Sequence, residues 1–350
     1  MVKKYPLNNW ALNMAALLLL VIMIGWLLVI GRNLLIPVVM ALIIWYLLDS
    51  IASYLQSCRV FGYPVSHSLA MVGAFLVMGT VIILVINMVA ENAVAMAVNA
   101  PEYQLKIQAR IQELFSWVAP RAEFSMDKLA DLFNLQRLLG WVTGLVSSVT
   151  STLMLVVVYL LFIFLERPWF DAKFAALFSE PERHAHALTI RREIMRRIQV
   201  YLSVKTLVSV LTGVLSWLLL TLIGVDYAVF WGFIIFLLNY IPTIGSIVAV
   251  IFPALLALVQ FDTITQFLLV AILLGSLQFM IGNVLEPRLM GANLNISGLA
   301  IMLTLSLWGT IWGITGMILS VPITVVLMIV CAQFRSTRGL AIMLSAEGKV

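Results

Sequence analysis

Residues Tyr227–Val259 read YAVFWGFIIFLLNYIPTIGSIVAVIFPALLALV, an apolar run with a single polar interruption near its middle. A helix rises about 1.5 Å per residue, so roughly 20 residues cross the ~30 Å hydrocarbon core of a bilayer, and this run is too long for one plain span. The interruption, Asn239–Gly245, contains a proline, which removes a backbone donor, and a glycine, which permits close approach of another chain segment. The run is therefore predicted to be an interrupted membrane helix.

The composition of the whole chain indicates a membrane protein. Of its 350 residues 63% are hydrophobic and 11% are charged, whereas a soluble domain is about 45–50% apolar and about 25% charged. Backbone amides in hydrocarbon must be satisfied internally, and the apolar runs do not alternate as barrel strands do. The predicted fold is an all-α polytopic membrane protein of about eight transmembrane segments, with broken or re-entrant helices in the C-terminal half. The expected segments are Ala11–Ile30, Leu34–Leu55, Leu69–Ala90, Ser151–Leu165, Tyr201–Ile223, Tyr227–Val259, Phe267–Gly282 and Leu299–Cys331.

The stretch Glu91–Ser148 is too polar for the hydrocarbon core, with six acidic and five basic residues. Its apolar residues recur at helical spacing from Tyr103 to Val118, which favours an amphipathic extracytoplasmic helical subdomain over an irregular loop. The chain is accordingly divided into an N-terminal three-helix membrane region (1–90), this subdomain (91–148) and a C-terminal membrane region (149–350).

A second polar stretch, Glu166–Lys205, carries eight basic residues and is typical of a helix at an anionic membrane surface. Basic residues near the ends of the spans mark the cytoplasmic side. By this rule residues 166–200 form a cytoplasmic basic segment, and both termini are cytoplasmic in a bacterial inner membrane. The orientation is the same whether the over-long segments, 227–259 and 299–331, cross once or fold back. The other basic residues on this side are Lys3, Lys4, Arg59, Arg335 and Arg338.

The interrupted helix supplies the first candidate pathway residues. Carbonyls freed at membrane depth are tolerated only where they face protein or a water-filled cavity, and broken helices form substrate and ion sites in transporters. We expect Asn239 and Tyr240 to offer hydrogen bonds, and Pro242 and Gly245 to shape the break. A simple proline kink without a site is the alternative.

The other candidates are Gln278, Asn283, Glu286 and Arg288 at the end of the seventh segment, and Lys205 in the fifth. A charged side chain costs about 2.5–3.5 kcal/mol at the bilayer centre, so Glu286 and Arg288 are expected to be paired, interfacial or facing a cavity. They are interpreted as a gate pair or coupling charges. A membrane-boundary marker and a structural salt bridge remain open. For Lys205, a side chain that snorkels to the headgroups is favoured over a place in the pathway.

The eighth segment contains the pair Gly309 and Gly313, and then Pro322. A GxxxG pair allows close helix packing, and the same residues suit a hairpin that folds back. The sequence does not separate the two.

No pattern of a metal or cofactor site is found. Cys58 and Cys331 lack ligand spacing, and His184 and His186 have no nearby cysteine or aspartate cluster. The chain also lacks the P-loop, nucleophile-elbow and dinucleotide motifs, so neither an enzyme nor an ATP-driven pump is expected.

Three motifs together resemble those of the autoinducer-2 exporter family of bacterial permeases. They are the Asn-Tyr-Ile-Pro-Thr-Ile-Gly of residues Asn239–Gly245, the Gly-Asn-Val-Leu-Glu-Pro-Arg-Leu-Met-Gly of Gly282–Gly291, and the Leu-Ser-Val-Pro of Leu319–Pro322. The resemblance implies an eight-span inner-membrane protein without a nucleotide-binding domain. It also implies transport of a small polar signalling molecule derived from dihydroxypentanedione, and a homo-oligomer, with a pentamer as one candidate. Some relatives are linked to sodium/proton antiport.

Three functions follow from these observations. The first is a secondary permease that exports autoinducer-2 or a similar metabolite. The second is a cation/proton antiporter, which needs a titratable carboxylate within the membrane, with Asp49 and Glu286 as candidates. The third is a scaffold whose outer subdomain binds a partner through the stripe from Tyr103 to Val118.

Overall fold

The computed structural model describes residues 9–57, 59–60, 63–64, 66–118, 135–261, 263–290 and 295–348. Seven helices in these residues are long and apolar enough to cross a membrane, and two shorter apolar helices stand between the fifth and the sixth of them. The prediction of an all-α polytopic membrane protein with broken helices in its C-terminal half is confirmed.

The helices follow the predicted segments in order, with the sixth segment divided in two. A two-residue antiparallel pair of strands, β1 and β2, joins the second helix to the third. In chain order the elements are α1 Asn9–Ile30, α2 Arg32–Ser57, β1 Arg59–Val60, β2 Tyr63–Pro64, α3 His67–Val118, α4 Leu135–Leu177, α5 Pro181–Ile223, α6 Ala228–Leu238, α7 Ile244–Gln260, α8 Ile264–Met280, a π-helical turn Ile281–Leu285, α9 Glu286–Met290, α10 Gly298–Gln333 and α11 Arg338–Leu344.

The sixth segment folds back on itself, so that α6 and α7 form a hairpin, called here the first hairpin. The rings of Trp231 and Phe252 stack with centroids 6.4 Å apart, whereas 21 residues of continuous helix would separate them by about 30 Å. At the open base, the Gln260 side chain accepts a hydrogen bond from the Asp226 amide and donates one to the Gly224 carbonyl. The alternatives of a single crossing and of a simple kink are thereby excluded.

The eighth segment, α10, also reverses direction and is called the second hairpin. The backbone of Gly313 has φ 62° and ψ −141°, a conformation that residues with a Cβ atom rarely adopt. Beyond the reversal, a Cβ atom on Gly316 would lie 1.9 Å from the carbonyl oxygen of Trp308. Farther from the tip, Ile301 packs against the buried cluster that contains Val325, twelve residues on the other side of Gly313. Both over-long segments therefore fold back.

Helix α5 packs against both hairpins. It crosses α6 closely, since a Cβ atom added to Gly213 would lie 2.8 Å from the Gly232 carbonyl oxygen. One face of α5 buries a stripe of polar side chains at helical spacing. The stripe consists of Lys205, Ser209, Thr212 and Ser216.

Helix α3 continues without a break from the third apolar segment into the polar stretch and reaches the base of the first hairpin. The Tyr103 hydroxyl donates a 2.6 Å hydrogen bond to the Asp226 carboxylate, and the Asn99 amide donates to the Tyr227 hydroxyl. The remainder of the predicted stripe, Ile107–Val118, lies outside the residues whose side chains are described. The subdomain 91–148 stays a prediction.

Substituting Tyr103 with phenylalanine is expected to loosen the base of the first hairpin without unfolding the protein. Burial, followed by the bond to Asp226, raises the pKa of Tyr103, so the hydroxyl stays protonated and donating at neutral pH. A hydrogen bond to a charged group contributes about 1.5–3 kcal/mol, but the exposed Asp226 can accept water instead, and we expect a loss of about 1 kcal/mol. Amide hydrogen exchange of residues 224–227 should then accelerate about five-fold.

The matched control is Tyr240→Phe, which removes a hydroxyl at the tip of the same hairpin. This change should leave exchange at residues 224–227 unaltered. Equal acceleration in both variants would contradict a local role for the Tyr103–Asp226 bond.

Candidate functional site

The tip of the first hairpin, α5 and α8 with its π-helical turn line an open cavity of about 540 Å³. Six of the nine predicted pathway residues line it, whereas Tyr240, Gly245 and Arg288 do not. The six are Lys205, Asn239, Pro242, Gln278, Asn283 and Glu286.

A buried ion pair crosses one wall of this cavity. The Lys205 ammonium donates to the Glu286 carboxylate at 2.5 Å, and the two side chains are only 4% and 18% exposed. The predicted snorkelling of Lys205 is therefore wrong. A place near the start of the fifth span leaves the direction of the side chain open, and the ammonium turns inward to Glu286 instead of outward to the headgroups. Pairing with Glu286 offsets the cost of burying both charges.

The prediction that Glu286 pairs with Arg288 is also wrong, because Glu286 pairs with Lys205. Two residues of α-helix correspond to a rotation of about 200°, so the two side chains leave α9 on nearly opposite faces. Arg288 is exposed and lies outside the cavity lining, while Glu286 faces Lys205.

A π-helical turn immediately before Glu286 sets the direction of that carboxylate. The Glu286 amide donates to the Ile281 carbonyl, five residues back. Pro287 has no amide hydrogen, and its ring would collide with the carbonyl four residues back in a regular α-helix, which the wider turn relieves. Such turns occur frequently at functional sites. The sequence signal that could have indicated the turn is Pro287, directly after Glu286.

The tip of the first hairpin is fixed to α5 by two side-chain hydrogen bonds. The Asn239 amide donates to the Ser209 hydroxyl at 3.0 Å, and the hydroxyls of Tyr240 and Thr206 lie 2.8 Å apart. Thr243 has φ 60°, outside any helical conformation, and separates α6 from α7. Asn239 and Tyr240 thus hold the break in place, and Asn239 also faces the cavity. Ser209 and Thr206 stand three residues apart on α5, so both side chains lie on the face that meets the hairpin tip.

One amide of the cavity wall lacks a partner. The Gln278 Nε2 atom is buried and has no hydrogen-bond partner among the described residues. Leaving such a donor unsatisfied costs about 1–3 kcal/mol, so a bound polar molecule or water is expected to accept its hydrogen bond. Gly245, by contrast, contributes no wall and packs against the backbone of Leu238.

The cavity is chemically suited to a small polar molecule without net charge. The formal charges of Lys205 and Glu286 cancel, and amides and hydroxyls supply donors and acceptors between apolar walls. The walls also include Ile241, Thr243, Ser246, Ile247, Val250, Ile251, Gly275, Phe279 and Gly282.

Comparison with known proteins adds a family relationship. A family described as "AI-2E family transporter" matches residues 16–336. The chain is 30% identical to the AI-2 transport protein TqsA of Escherichia coli K12, over 94% of this chain and 96% of that protein. It is 37% identical to the protein of the same bacterium named "Putative transport protein YhhT", over 58% of this chain and 56% of that protein.

Proposed function

Since the chain belongs to the AI-2E family of transporters, we propose that it exports a small polar signalling metabolite, autoinducer-2 or a close chemical relative, across the bacterial inner membrane. The cavity at the tip of the first hairpin is the proposed binding site. The observation that carries the proposal is the buried, unpartnered Gln278 amide in a wall that also holds a neutralised Lys205–Glu286 pair. The relative named as an AI-2 transport protein supports the choice of substrate.

The chain is a transporter and not an enzyme, and the transport is proposed to be secondary. The proposed substrate class is rich in hydroxyl and carbonyl groups. Such groups accept hydrogen bonds from Asn239 and Gln278 and donate to Asn283 or to the hydroxyls of the hairpin tip. Arg288, which is exposed and lies outside the cavity lining, remains a proposed pathway residue.

Replacing Gln278 with leucine tests this assignment. We expect efflux of autoinducer-2 to fall about 2–13-fold, the factor that corresponds to one lost hydrogen bond of about 0.5–1.5 kcal/mol. Stability should be unchanged or higher, because the change removes a buried polar group that has no partner within the described protein. Retained autoinducer-2 is measured in cells that carry the variant, the unchanged protein or neither.

The result separates a substrate contact from a structural role. A drop in efflux with an unchanged melting temperature supports the contact. Equal retention of autoinducer-2 with and without the unchanged protein would remove the substrate, and a parallel loss of folding and efflux would remove the contact.

A second candidate, sodium/proton antiport, is favoured by one observation. The Glu286 carboxylate lines the cavity, as a coupling acid must. Asp49, the other candidate, lies 3.4 Å from the Arg167 guanidinium, about one-third exposed, at the contact of α2 and α4. Everted vesicles in which sodium addition produces no proton signal from the unchanged protein would exclude this function. A sodium-driven proton signal from the unchanged protein would favour it over export of an uncharged molecule, and Glu286→Gln, which removes the coupling acid, should then abolish that signal.

We propose a topology with both termini on the cytoplasmic side, residues 166–200 at the cytoplasmic surface of the membrane and residues 91–148 outside. The base of the first hairpin contacts Tyr103 of the proposed outer stretch, whereas the base of the second contacts the C-terminal residues, with the Ser297 amide donating to the Leu344 carbonyl. The two hairpins then enter from opposite sides, which agrees with the distribution of basic residues. A homo-oligomer, with a pentamer as one candidate, is proposed from the family relationship. Cysteine labelling at each loop and cross-linking in membranes test these assignments.

A further inference from the structure

A second cavity, of about 360 Å³, lies far from the pathway, between the end of α4 and the first turns of α5, and is called here the basic cleft. It carries two guanidinium groups, one imidazole and one carboxylate over an apolar floor. Its lining residues are Asp171, Phe174, His184, Leu188, Arg191 and Arg192.

Arg191 is held in the cleft in a fixed orientation. Its guanidinium donates to the Asp171 carboxylate at 2.7 Å and lies over the Phe174 ring at 5.4 Å from the ring centroid. A guanidinium has five N–H donors in a planar fork, so this bond leaves others for a phosphate group. Arg192 adds a second positive charge, and the cleft is net positive despite Asp171.

His184 provides an independent indication of a ligand. Its Nδ1 atom is enclosed and finds no hydrogen-bond partner within the described part of the chain. Its ring lies beside Phe174, with centroids 6.1 Å apart, which fixes the plane of the imidazole. A bound molecule that fills the cleft would supply the missing partner.

The surroundings of the cleft indicate a lipid. Trp169, Phe170 and Leu177 are exposed on the end of α4, immediately beside it. Aromatic residues of this kind mark the boundary between hydrocarbon and headgroups, and basic residues at that depth bind anionic headgroups. A lipid seated here would extend its acyl chains over these apolar side chains, whereas a free anion would gain nothing from them.

We propose that the basic cleft is a specific binding site for an anionic phospholipid with a polyol headgroup, of the phosphatidylglycerol type. The phosphate lies against Arg191, Arg192 and His184. A headgroup hydroxyl donates to the Asp171 carboxylate. A site for a simple anion would have no use for this negative charge. The site is independent of the transported substrate.

Native mass spectrometry of the full-length protein in detergent tests the proposal, with dioleoyl phosphatidylglycerol and dioleoyl phosphatidylcholine as probes. We expect phosphatidylglycerol to be retained preferentially by the unchanged protein. Arg192→Gln should weaken this retention about five-fold, the factor expected for one basic residue at an anionic surface. The control Arg183→Gln removes an equally charged residue of the same helix whose side chain pairs with Glu180 outside the cleft, and it should change retention less than two-fold.

Equal retention of the two lipids, or equal losses in the two arginine variants, would overturn the proposal in favour of diffuse attraction to negative charge. Inorganic phosphate at millimolar concentration should not displace the lipid, and displacement would indicate a free-anion site. Asp171→Asn should reduce the preference for phosphatidylglycerol over dioleoyl phosphatidic acid, which lacks the polyol. An unchanged preference would overturn the headgroup assignment. Melting temperatures confirm that each variant is folded, and if Arg192→Gln is not, His184→Gln takes its place, because it removes another proposed phosphate contact.

Discussion

Replacing Glu286 with glutamine is expected to abolish transport and to destabilise the protein by about 3–5 kcal/mol. The change leaves the Lys205 ammonium buried beside a neutral amide, and loss of one partner of a buried ion pair strands the other charge. The 4% exposure of the Lys205 side chain leaves little access to water that could replace the carboxylate. Thermal unfolding in detergent and efflux from cells measure the two effects. Lys205→Met should have a similar effect on stability, because it leaves the carboxylate without its ammonium partner.

The double variant Lys205→Met/Glu286→Gln separates stability from function. With neither charge present, stability should return to within about 1–2 kcal/mol of the unchanged protein, since neutral replacement of a buried pair is often tolerated. Transport should stay absent if the charges take part in it. A double variant whose loss of stability equals the sum of the two single losses would show that the two residues are not energetically coupled.

The exposed pair of Glu180 and Arg183 provides the control, with a separation of 2.6 Å against 2.5 Å in the buried pair. Glu180→Gln should hardly change stability, since exposed ion pairs contribute about 0–1 kcal/mol. A comparable loss from this variant would indicate that burial does not determine the effect at Glu286.

The spans and the interruption of the sixth segment follow from the sequence because they depend on local physics. Apolar length predicts a membrane helix, and Pro242 with Gly245 predicts where it breaks. The reversal does not follow, because a crossing helix and a hairpin satisfy the same backbone amides. The side of the C-terminus does not decide either, since it is the same when both over-long segments cross and when both fold back. The stacking of Trp231 on Phe252 decides between them, and it is a tertiary contact.

The partner of Glu286 was missed for a related reason. Arg288 is its neighbour in sequence, whereas Lys205 is 81 residues away along the chain. Hydropathy placed the start of the fifth span at Tyr201, which put Lys205 within reach of the headgroups. The ammonium instead points inward to Glu286 and the side chain is only 4% exposed, and an apolar run does not show the direction of a side chain near its end. The need for each buried charge to be paired was foreseeable, but the identity of the partner was not.

Replacing Gly245 with alanine should disrupt the first hairpin and abolish transport. A Cβ atom at this position would lie 1.8 Å from the carbonyl oxygen of Leu238 and 2.7 Å from its carbonyl carbon. These are backbone atoms of the opposite arm, so no side-chain rotation can relieve the collision, and α6 and α7 must separate. Overpacking of a tight core costs about 1–3 kcal/mol, and a backbone collision belongs at or above the upper end of that range.

The same cavity offers the matched control. Gly275 lies in the facing wall on α8, and a Cβ atom there would meet nothing within 4 Å. Gly275→Ala should therefore keep the melting temperature and, since alanine favours a helix by about 1 kcal/mol relative to glycine, can raise it. Gly245→Ala should lower the melting temperature and lose efflux, because separation of the arms moves Asn239 and Pro242 out of the cavity wall. If Gly245→Ala had the same melting temperature and efflux as Gly275→Ala, the tight reversal at residues 239–245 would be wrong. The proposed binding site would then lose the wall that Asn239 and Pro242 form.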